Sequence, residues 1–201
     1  MADAKRGTEI AMIDAALVVM RTKGVNAQTL ALDTASQVEV AIATETTDAV
    51  KLIVKGKLIA QKKATTTVTG NTLTLTDNVF NFEQAKILQG GTLYYWTTEE
   101  KTAMQTEKSD YGVAGYEPPV AGSGDKGEVF DLDIYSSVYD TSGEIVQYEK
   151  ITYPNCTGQP FGVGAQDDTF NVNSITIDSA PQKGKAPYSI MTVKELPTIT
   201  E

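Results

Sequence analysis

The sequence contains no histidine and a single cysteine, Cys156, and these two scarcities exclude several kinds of chemistry. Without histidine there is no Ser-His-Asp or Cys-His nucleophile pair and no histidine-ligated metal site. One cysteine cannot close a disulfide within the chain, so the framework of a small disulfide-rich domain is missing as well. We therefore predict a protein that is not an enzyme and that holds no cofactor and no metal.

Cationic side chains and long apolar runs are also scarce. The chain has 17 Lys and Arg against 26 Asp and Glu, which gives a net charge of −9. Because cations at phosphate groups dominate the affinity for DNA, so acidic a chain is not expected to hold DNA tightly, although DNA can move past it. No stretch approaches the roughly 20 apolar residues that cross a bilayer, so no membrane partner is predicted.

What the sequence does contain is a strong alternation of apolar and polar residues, which is typical of β-strands. Val38, Val40 and Ile42 share one face of a predicted strand, with Glu39 and Glu45 on the other. A second strand region follows, with an apolar face and a basic face. The predicted apolar face holds Val50, Leu52, Val54 and Leu58, and the basic face holds Lys51, Lys55 and Lys57.

Residues 65–76 are rich in threonine and contain the dipeptide Gly70-Asn71. A two-residue Gly-Asn segment between alternating runs predicts a tight β-hairpin turn. The hydroxyl-rich face of this hairpin fits an exposed face of a monomer or an edge that pairs with a neighbouring subunit, because unpaired strand edges are templates for association.

One helix is predicted, over about residues 79–89. Asp77 and Asn78 are positioned to cap its first amides, and Gly90-Gly91 to end it. The following residues 99–127 are mostly polar and predict a long loop without secondary structure. Within that loop Gly122-x-Gly-x-x-Gly127 matches the dinucleotide-binding pattern, but a phosphate site needs a helix after the glycines and a strand is predicted there.

Predicted strands then continue over residues 128–140, 144–153, 170–177 and 188–193. Strands grouped in hairpins, rather than interleaved with helices, favour a mainly β fold, a β-sandwich or barrel with one flanking helix. The predicted organisation is an N-terminal arm at residues 1–15, one β-sandwich domain at 16–195 and a C-terminal tail at 196–201.

Six short segments, taken in order, form a pattern that is found in a known family. They are 74–80, 89–92, 149–158 (EKITYPNCTG), 168–170, 176–181 and 183–187. In this order they resemble the tail tube proteins (major tail proteins) of long-tailed bacteriophages and related phage-tail-like particles, and the resemblance covers about residues 36–195.

This resemblance implies a β-sandwich subunit with no catalytic activity that forms six-membered rings. The inner strands of the ring would close a β-barrel, and stacked rings would form a tube through which DNA passes. It also implies a place in the virion tail after synthesis in the bacterial cytoplasm, with tape measure, tail tip or baseplate and terminator proteins as partners. The alternatives are a tail terminator or baseplate tube protein, and a surface Ig-like or adhesin domain.

The wall of a lumen that must not bind DNA tightly is expected to be acidic. Asp131 and Asp133, or Glu39 and Glu45, are the candidates for its wall, because each pair shares the polar face of a predicted strand. The alternative is that these carboxylates solvate the outer surface. As exposed groups, Asp131 and Asp133 are expected to tolerate replacement by lysine at little cost in stability. A divalent metal between them is not predicted, since no third ligand has suitable spacing.

Overall fold

A computed structural model describes residues 10–104, 112–164, 167–168 and 172–199. The described chain is mainly β, with antiparallel sheets and a helix at the flank, so the predicted fold class is confirmed. The helices are α1 (Phe82–Gln89) and α2 (Thr98–Met104). The strands are β1 (Met12–Thr22), β2 (Thr29–Leu32), β3 (Ala35–Thr47), β4 (Val50–Val54), β5 (Lys57–Lys62), β6 (Thr65–Asp77), β7 (Thr92–Tyr95), β8 (Val113–Glu117), β9 (Phe130–Tyr139), β10 (Ile145–Gly158), β11 (Asn173–Ser179) and β12 (Ser189–Val193).

The main sheet has eight strands, seven of which follow the order β2-β1-β9-β10-β11-β6-β3. The eighth, β12, pairs with β10, and every pair in this sheet is antiparallel. The strands β1 and β3, which lie towards opposite ends of the path, also approach each other. The sheet therefore curls towards a barrel around a single core.

The core follows from the alternation along each strand, because every second side chain points to the same face. Apolar side chains from β1, β6, β9 and β11 meet on the inner face, where α1 adds Ile87 and Leu88. Burying each side chain of this size contributes about 1.5–3 kcal/mol. The strand residues at the centre of this core are Val18, Met20, Leu73, Leu75, Phe130, Leu132, Ile175 and Ile177.

A second, smaller cluster lies on the outer face of the sheet. Leu17, Val19 and Tyr135 are buried there, and Val193 and Leu196 pack against them. Leu196 belongs to the segment predicted as a C-terminal tail, so at least the first residue of that segment contributes to packing. Residues 200–201 of the predicted tail lie outside the described residues.

The helix α1 is shorter than predicted and has a different N-cap. Asn81 caps it, since its side chain accepts a hydrogen bond from the Gln84 amide at 3.0 Å. The predicted caps are wrong because Asp77 is the last residue of β6 and its buried carboxylate accepts from the Thr34 hydroxyl at 2.6 Å. The predicted C-terminal end is confirmed: Gly90 follows the helix with a φ of 82°.

The predicted hairpin turn at Gly70-Asn71 is wrong. Strand β6 runs without a break from Thr65 to Asp77 and pairs along its length with β3. A Cβ atom on Gly70 would lie 2.6 Å from the backbone oxygen of Ser179. This glycine therefore permits a close approach of two backbones, and the chain does not turn there.

The described part of 99–127 is not a structureless loop. It contains the end of α2 and the whole of β8, which pairs with β7. A capping box begins α2: the Glu100 amide donates to the Thr97 hydroxyl at 3.3 Å, and the Thr97 amide donates to the Glu100 carboxylate at 3.0 Å. This Thr-x-x-Glu signal was present in the sequence and was missed.

The predicted N-terminal arm also needs correction, because β1 begins at Met12 and so includes residues 12–15. A bulge opposite β9 between Ile13 and Leu17, with a φ of 64° at Asp14, interrupts the alternation that sequence reasoning relies on. Residues 1–9 of the predicted arm lie outside the described residues, as do residues 105–111 of the predicted loop.

Candidate assembly surface

A two-stranded ribbon leaves the main sheet where β11 ends. Strand β11 pairs with β6 only as far as Asn71, whereas β3 and β6 continue together to the pair Thr47 and Thr65. We call residues 43–70 the arm. Every side chain from 43 to 69 is exposed. The arm therefore contributes no side chain from these residues to the core of the subunit.

The end of the arm is a second hairpin, formed by β4 and β5, which we call the tip hairpin (residues 50–62). Its turn is Lys55-Gly56, and both residues have positive φ angles, 47° and 77°. Two successive residues of this kind form the turn that best matches the twist of a β-hairpin. The sequence analysis did not predict this turn and placed a two-residue turn at Gly70-Asn71, where the chain continues as a strand.

The register of the tip hairpin places apolar side chains on both of its faces. Ile53 pairs with Leu58, and Val54 pairs with Lys57. Paired residues share a face, so the prediction that grouped Leu58 with Val54 and set Lys57 opposite is wrong. The two-residue turn sets this pairing, and a shift in register between Leu52 and Ile53 accompanies it.

The tip hairpin is both apolar and basic. Its exposed apolar side chains retain about half or more of their accessible surface, which is unusual when such residues are contiguous. Residues 50–63 also contain five lysines and no acidic residue, in a chain whose net charge is −9. The exposed apolar side chains are Val50, Leu52, Ile53, Val54, Leu58 and Ile59.

A second apolar surface lies at the N-terminal end of α1. We call it the aromatic groove: a cavity of about 600 Å³ between β2, the residues before α1, and the β7–β8 region. Among the described residues that line it, Glu83 is the one charged side chain and none is a cation. The sequence analysis missed this groove because the predicted helix over about residues 79–89 includes Phe80, which lies before the observed start of α1. The apolar lining is formed by Leu30, Val79, Phe80, Phe82, Trp96 and Val113.

Of the carboxylates predicted to line a lumen, Asp133 lies in a buried ion-pair network. Its side chain is 1% exposed, and its carboxylate lies 2.9 Å from both Arg21 Nη2 and Lys150 Nζ. The Thr152 hydroxyl donates to it at 2.6 Å. The expectation that Asp133 is an exposed charge that lysine replaces at little cost is therefore wrong, because lysine would place a third cation in this network.

Asp131 is more accessible than Asp133 and has different partners. Its carboxylate lies 2.7 Å from Lys23 Nζ and accepts from the Asn155 amide at 2.9 Å. Glu39 and Glu45, on β3, are exposed, and Glu39 accepts from the Gln37 side chain at 2.8 Å. All four carboxylates belong to the strand faces opposite the core, but β10, β11 and β6 separate β9 from β3. They do not form one cluster in the subunit, and their place in a lumen stays a prediction.

The longest segment of the resemblance, residues 149–158, has a structural role. Between Tyr153 and Cys156 the pairing with β9 shifts, and Asn155 has a φ of 50°. Cys156 is fully buried, and this burial raises the pKa of its thiol to about 12. A Cβ on Gly158 would lie 2.5 Å from the backbone oxygen of Leu88, so glycine permits α1 to pack closely on β10.

The described residues form neither a metal site nor a membrane-spanning helix. No group of three or more Cys, Asp or Glu side chains in this part of the chain is arranged to hold a metal ion. Within the same residues, no helix is long and apolar enough to cross a membrane. The features that stand out are therefore the arm with its tip hairpin and the aromatic groove.

Comparisons with known proteins leave the family open. No protein-family model and no curated protein matches this sequence. Among solved structures, the chain is similar to a chain of the structure described as "Cryo-EM structure of the anti-feeding prophage (AFP) baseplate, 6-fold symmetrised". The match covers 94% of this chain and 97% of the other, at 8% identity and a TM-score of 0.33. At so low a TM-score we base no inference on this likeness.

Proposed function

We propose that the protein is a structural, self-assembling subunit of the tail tube of a long-tailed bacteriophage or a phage-tail-like particle. The observation that carries this proposal is the arm, because it exposes apolar side chains on both faces of a hairpin that contributes nothing to the core. Contiguous exposed apolar surface of this kind marks a site of protein association. The sequence resemblance supplies the identity of the assembly.

Free strand edges support the same proposal. Strand β3 ends the path of the main sheet, and its outer edge pairs with no other described strand over 13 residues. In the arm, residues 65–69 of β6 pair only with β3 among the described residues. Long unpaired edges recruit strands from other chains, and closing the sheet into a ring removes them. Six subunits would form each ring, and stacked rings would form the tube.

The carboxylates and the partners complete the proposal. Glu39 and Glu45 are exposed on the strand that offers the free edge, so they would line the lumen if the outer face of β3 turns inward. Asp131 is the other candidate, since the carboxylate of Asp133 is buried and paired with Arg21 and Lys150. DNA would pass through without tight binding, because few cations would meet its phosphates. The remaining partners would be the tape measure, tail tip or baseplate and terminator proteins of the virion.

The experiment removes the tip hairpin without touching the core. Thr47 and Thr65 pair directly, so an Asn-Gly turn in place of residues 48–64 reconnects β3 to β6. We expect the full chain to form tubes or rings at high concentration in electron micrographs. The shortened chain should stay monomeric by light scattering, with unchanged circular dichroism and melting temperature.

Two results would contradict the proposal. One is a full chain that stays monomeric at high concentration, with and without salt and tail-tip components. The other is a shortened chain that assembles as readily as the full chain, which would show that the tip hairpin has no part in association. Growth should also continue once it has begun, since stacked rings have contacts that do not close along the axis.

A further inference from the structure

We propose that the tip hairpin of one subunit docks into the aromatic groove of a second copy of this chain. The inference rests on the proposed self-assembly and names the two surfaces that meet. Both are apolar, and they lie on separate elements: the exposed hairpin is β4–β5, whereas the half-buried groove is formed by β2, α1 with the residues before it, and the β7–β8 region. Different patches on the two partners make an open-ended contact, which suits a stack.

The apolar side chains of the hairpin match the groove in kind. Ile53 and Leu58 are cross-strand partners on one face of the hairpin, so they form a two-residue apolar knob directly behind the turn. A cavity of about 600 Å³ lies within the range of roughly 300–1,000 Å³ that is typical of apolar binding pockets. Among the described elements, β4 and β5 make substantial contacts only with each other, so no described element covers the knob.

The basic charge of the hairpin and the acidic charge of the rest of the chain favour a second copy of this chain as the partner of the hairpin. The whole chain carries −9 and the five lysines of residues 50–63 carry +5, so the rest of the chain carries −14. The described lining of the groove offers the carboxylate of Glu83 and no cation. Opposite charges at the rim of the interface speed the encounter of the two subunits and fix their relative orientation. The apolar knob supplies most of the affinity. DNA or an anionic membrane would meet the lysines but would leave Ile53 and Leu58 without an apolar pocket.

The first test uses Trp96, the only tryptophan of the chain, which lines the groove. As wild-type protein assembles, docking should shift the Trp96 emission to shorter wavelength. Leu58→Asp should remove this shift and raise the concentration needed for assembly at least about tenfold, from the lost burial of one leucine. Val25→Asp, which also changes an exposed apolar residue to aspartate, is the matched control and should leave both quantities unchanged.

The second test is cross-linking between subunits. Lys55→Cys places a thiol at the turn of the hairpin, and Glu83→Cys places one at the groove. The natural Cys156 does not interfere, because it is fully buried. With a short bismaleimide, mixed assemblies of the two variants should give cross-linked heterodimers, and assemblies of either variant alone should give none.

The outcomes separate this inference from the proposed function. Wild-type tubes without heterodimers in the mixture overturn the docking and leave self-assembly intact. A Trp96 emission that stays the same from dilute to assembled protein shows that the chain's own residues already fill the groove, which also overturns it. The hairpin is assigned to DNA or to a membrane instead if two results occur together. Leu58→Asp assembles as readily as the wild type, and it loses a binding to DNA or to anionic phosphatidylserine vesicles that the wild-type protein shows. Absence of any wild-type assembly refutes the proposed function and the docking together.

Discussion

Replacing Asp133 by asparagine should destabilise the subunit much more than the same change at Asp131, although both were predicted as equivalent residues of one polar strand face. The two carboxylates differ in burial: the side chain of Asp133 is 1% exposed and that of Asp131 is 25% exposed. Each is paired with lysine, and Asp133 also binds Arg21. Asparagine keeps the shape of aspartate and removes the charge.

The expected magnitudes follow from these surroundings. Removing one member of a buried ion pair costs about 3–5 kcal/mol, because the remaining charges stay uncompensated. Arg21 and Lys150 are partly exposed and can turn towards water, so we expect the lower limit, about 3 kcal/mol, for Asp133→Asn. At Asp131 the pair with Lys23 is worth about 0–1 kcal/mol. For a chain of this size, about 3 kcal/mol lowers the melting temperature by roughly 6–12 °C.

The assay is urea unfolding followed by Trp96 fluorescence, at concentrations low enough to keep the protein monomeric. Both variants should keep the slope of the wild-type transition, so that a change in midpoint reports stability alone. Repeating the measurement in 1 M NaCl, where the screening length is about 3 Å, should reduce the effect at Asp131 and leave most of that at Asp133. Equal destabilisation by the two variants in low salt would refute the reasoning from burial.

Two further predictions concern Gly70 and Cys156. Gly70→Ala should cost about 1–3 kcal/mol in urea unfolding, because its Cβ would meet the Ser179 backbone oxygen at 2.6 Å. Gly115→Ala, where a Cβ meets nothing within 4 Å, should change stability little, and equal effects would contradict the close-approach argument. The Cys156 thiol, with a pKa of about 12, should resist iodoacetamide at pH 8–9 in the native protein and react in urea. Since the unfolded thiol ionises near pH 9, its burial should also reduce stability as the pH rises from 9 towards 12. Rapid native labelling would show that Cys156 is not buried.

The sequence predicted a structural feature correctly where a short segment alone determines it. Gly90 ends α1 as predicted, because a residue with positive φ after a helix favours glycine in any context. The start of α1 was misjudged because three candidate caps, Asp77, Asn78 and Asn81, follow closely in sequence. Which of them caps depends on where β6 ends, and a contact with Thr34 on a distant part of the chain takes up the Asp77 carboxylate.

The candidate surfaces were harder to predict than the strands. The alternation that marks Val50, Leu52 and Val54 as a strand face is the same whether that face is buried or exposed. Sequence therefore indicated an apolar strand, and only the pairing showed that it projects from the sheet in a two-stranded hairpin. The aromatic groove combines residues from 30 to 114, and no periodicity within one segment reports such an assembly.

What the sequence determined by itself is the mainly β class, the acidic charge and the absence of histidine chemistry, because composition and period-2 alternation depend on neighbouring residues alone. Only the tertiary structure decided the structural role of Gly70 and the burial of Asp133. Gly70 lies in a strand because Ser179 approaches it, and Asp133 is buried because Arg21 and Lys150 come from two other strands to neutralise it. Two of these contacts, Gly70 with Ser179 and Arg21 with Asp133, join residues more than a hundred positions apart, and the free energy of a buried charge depends on such contacts.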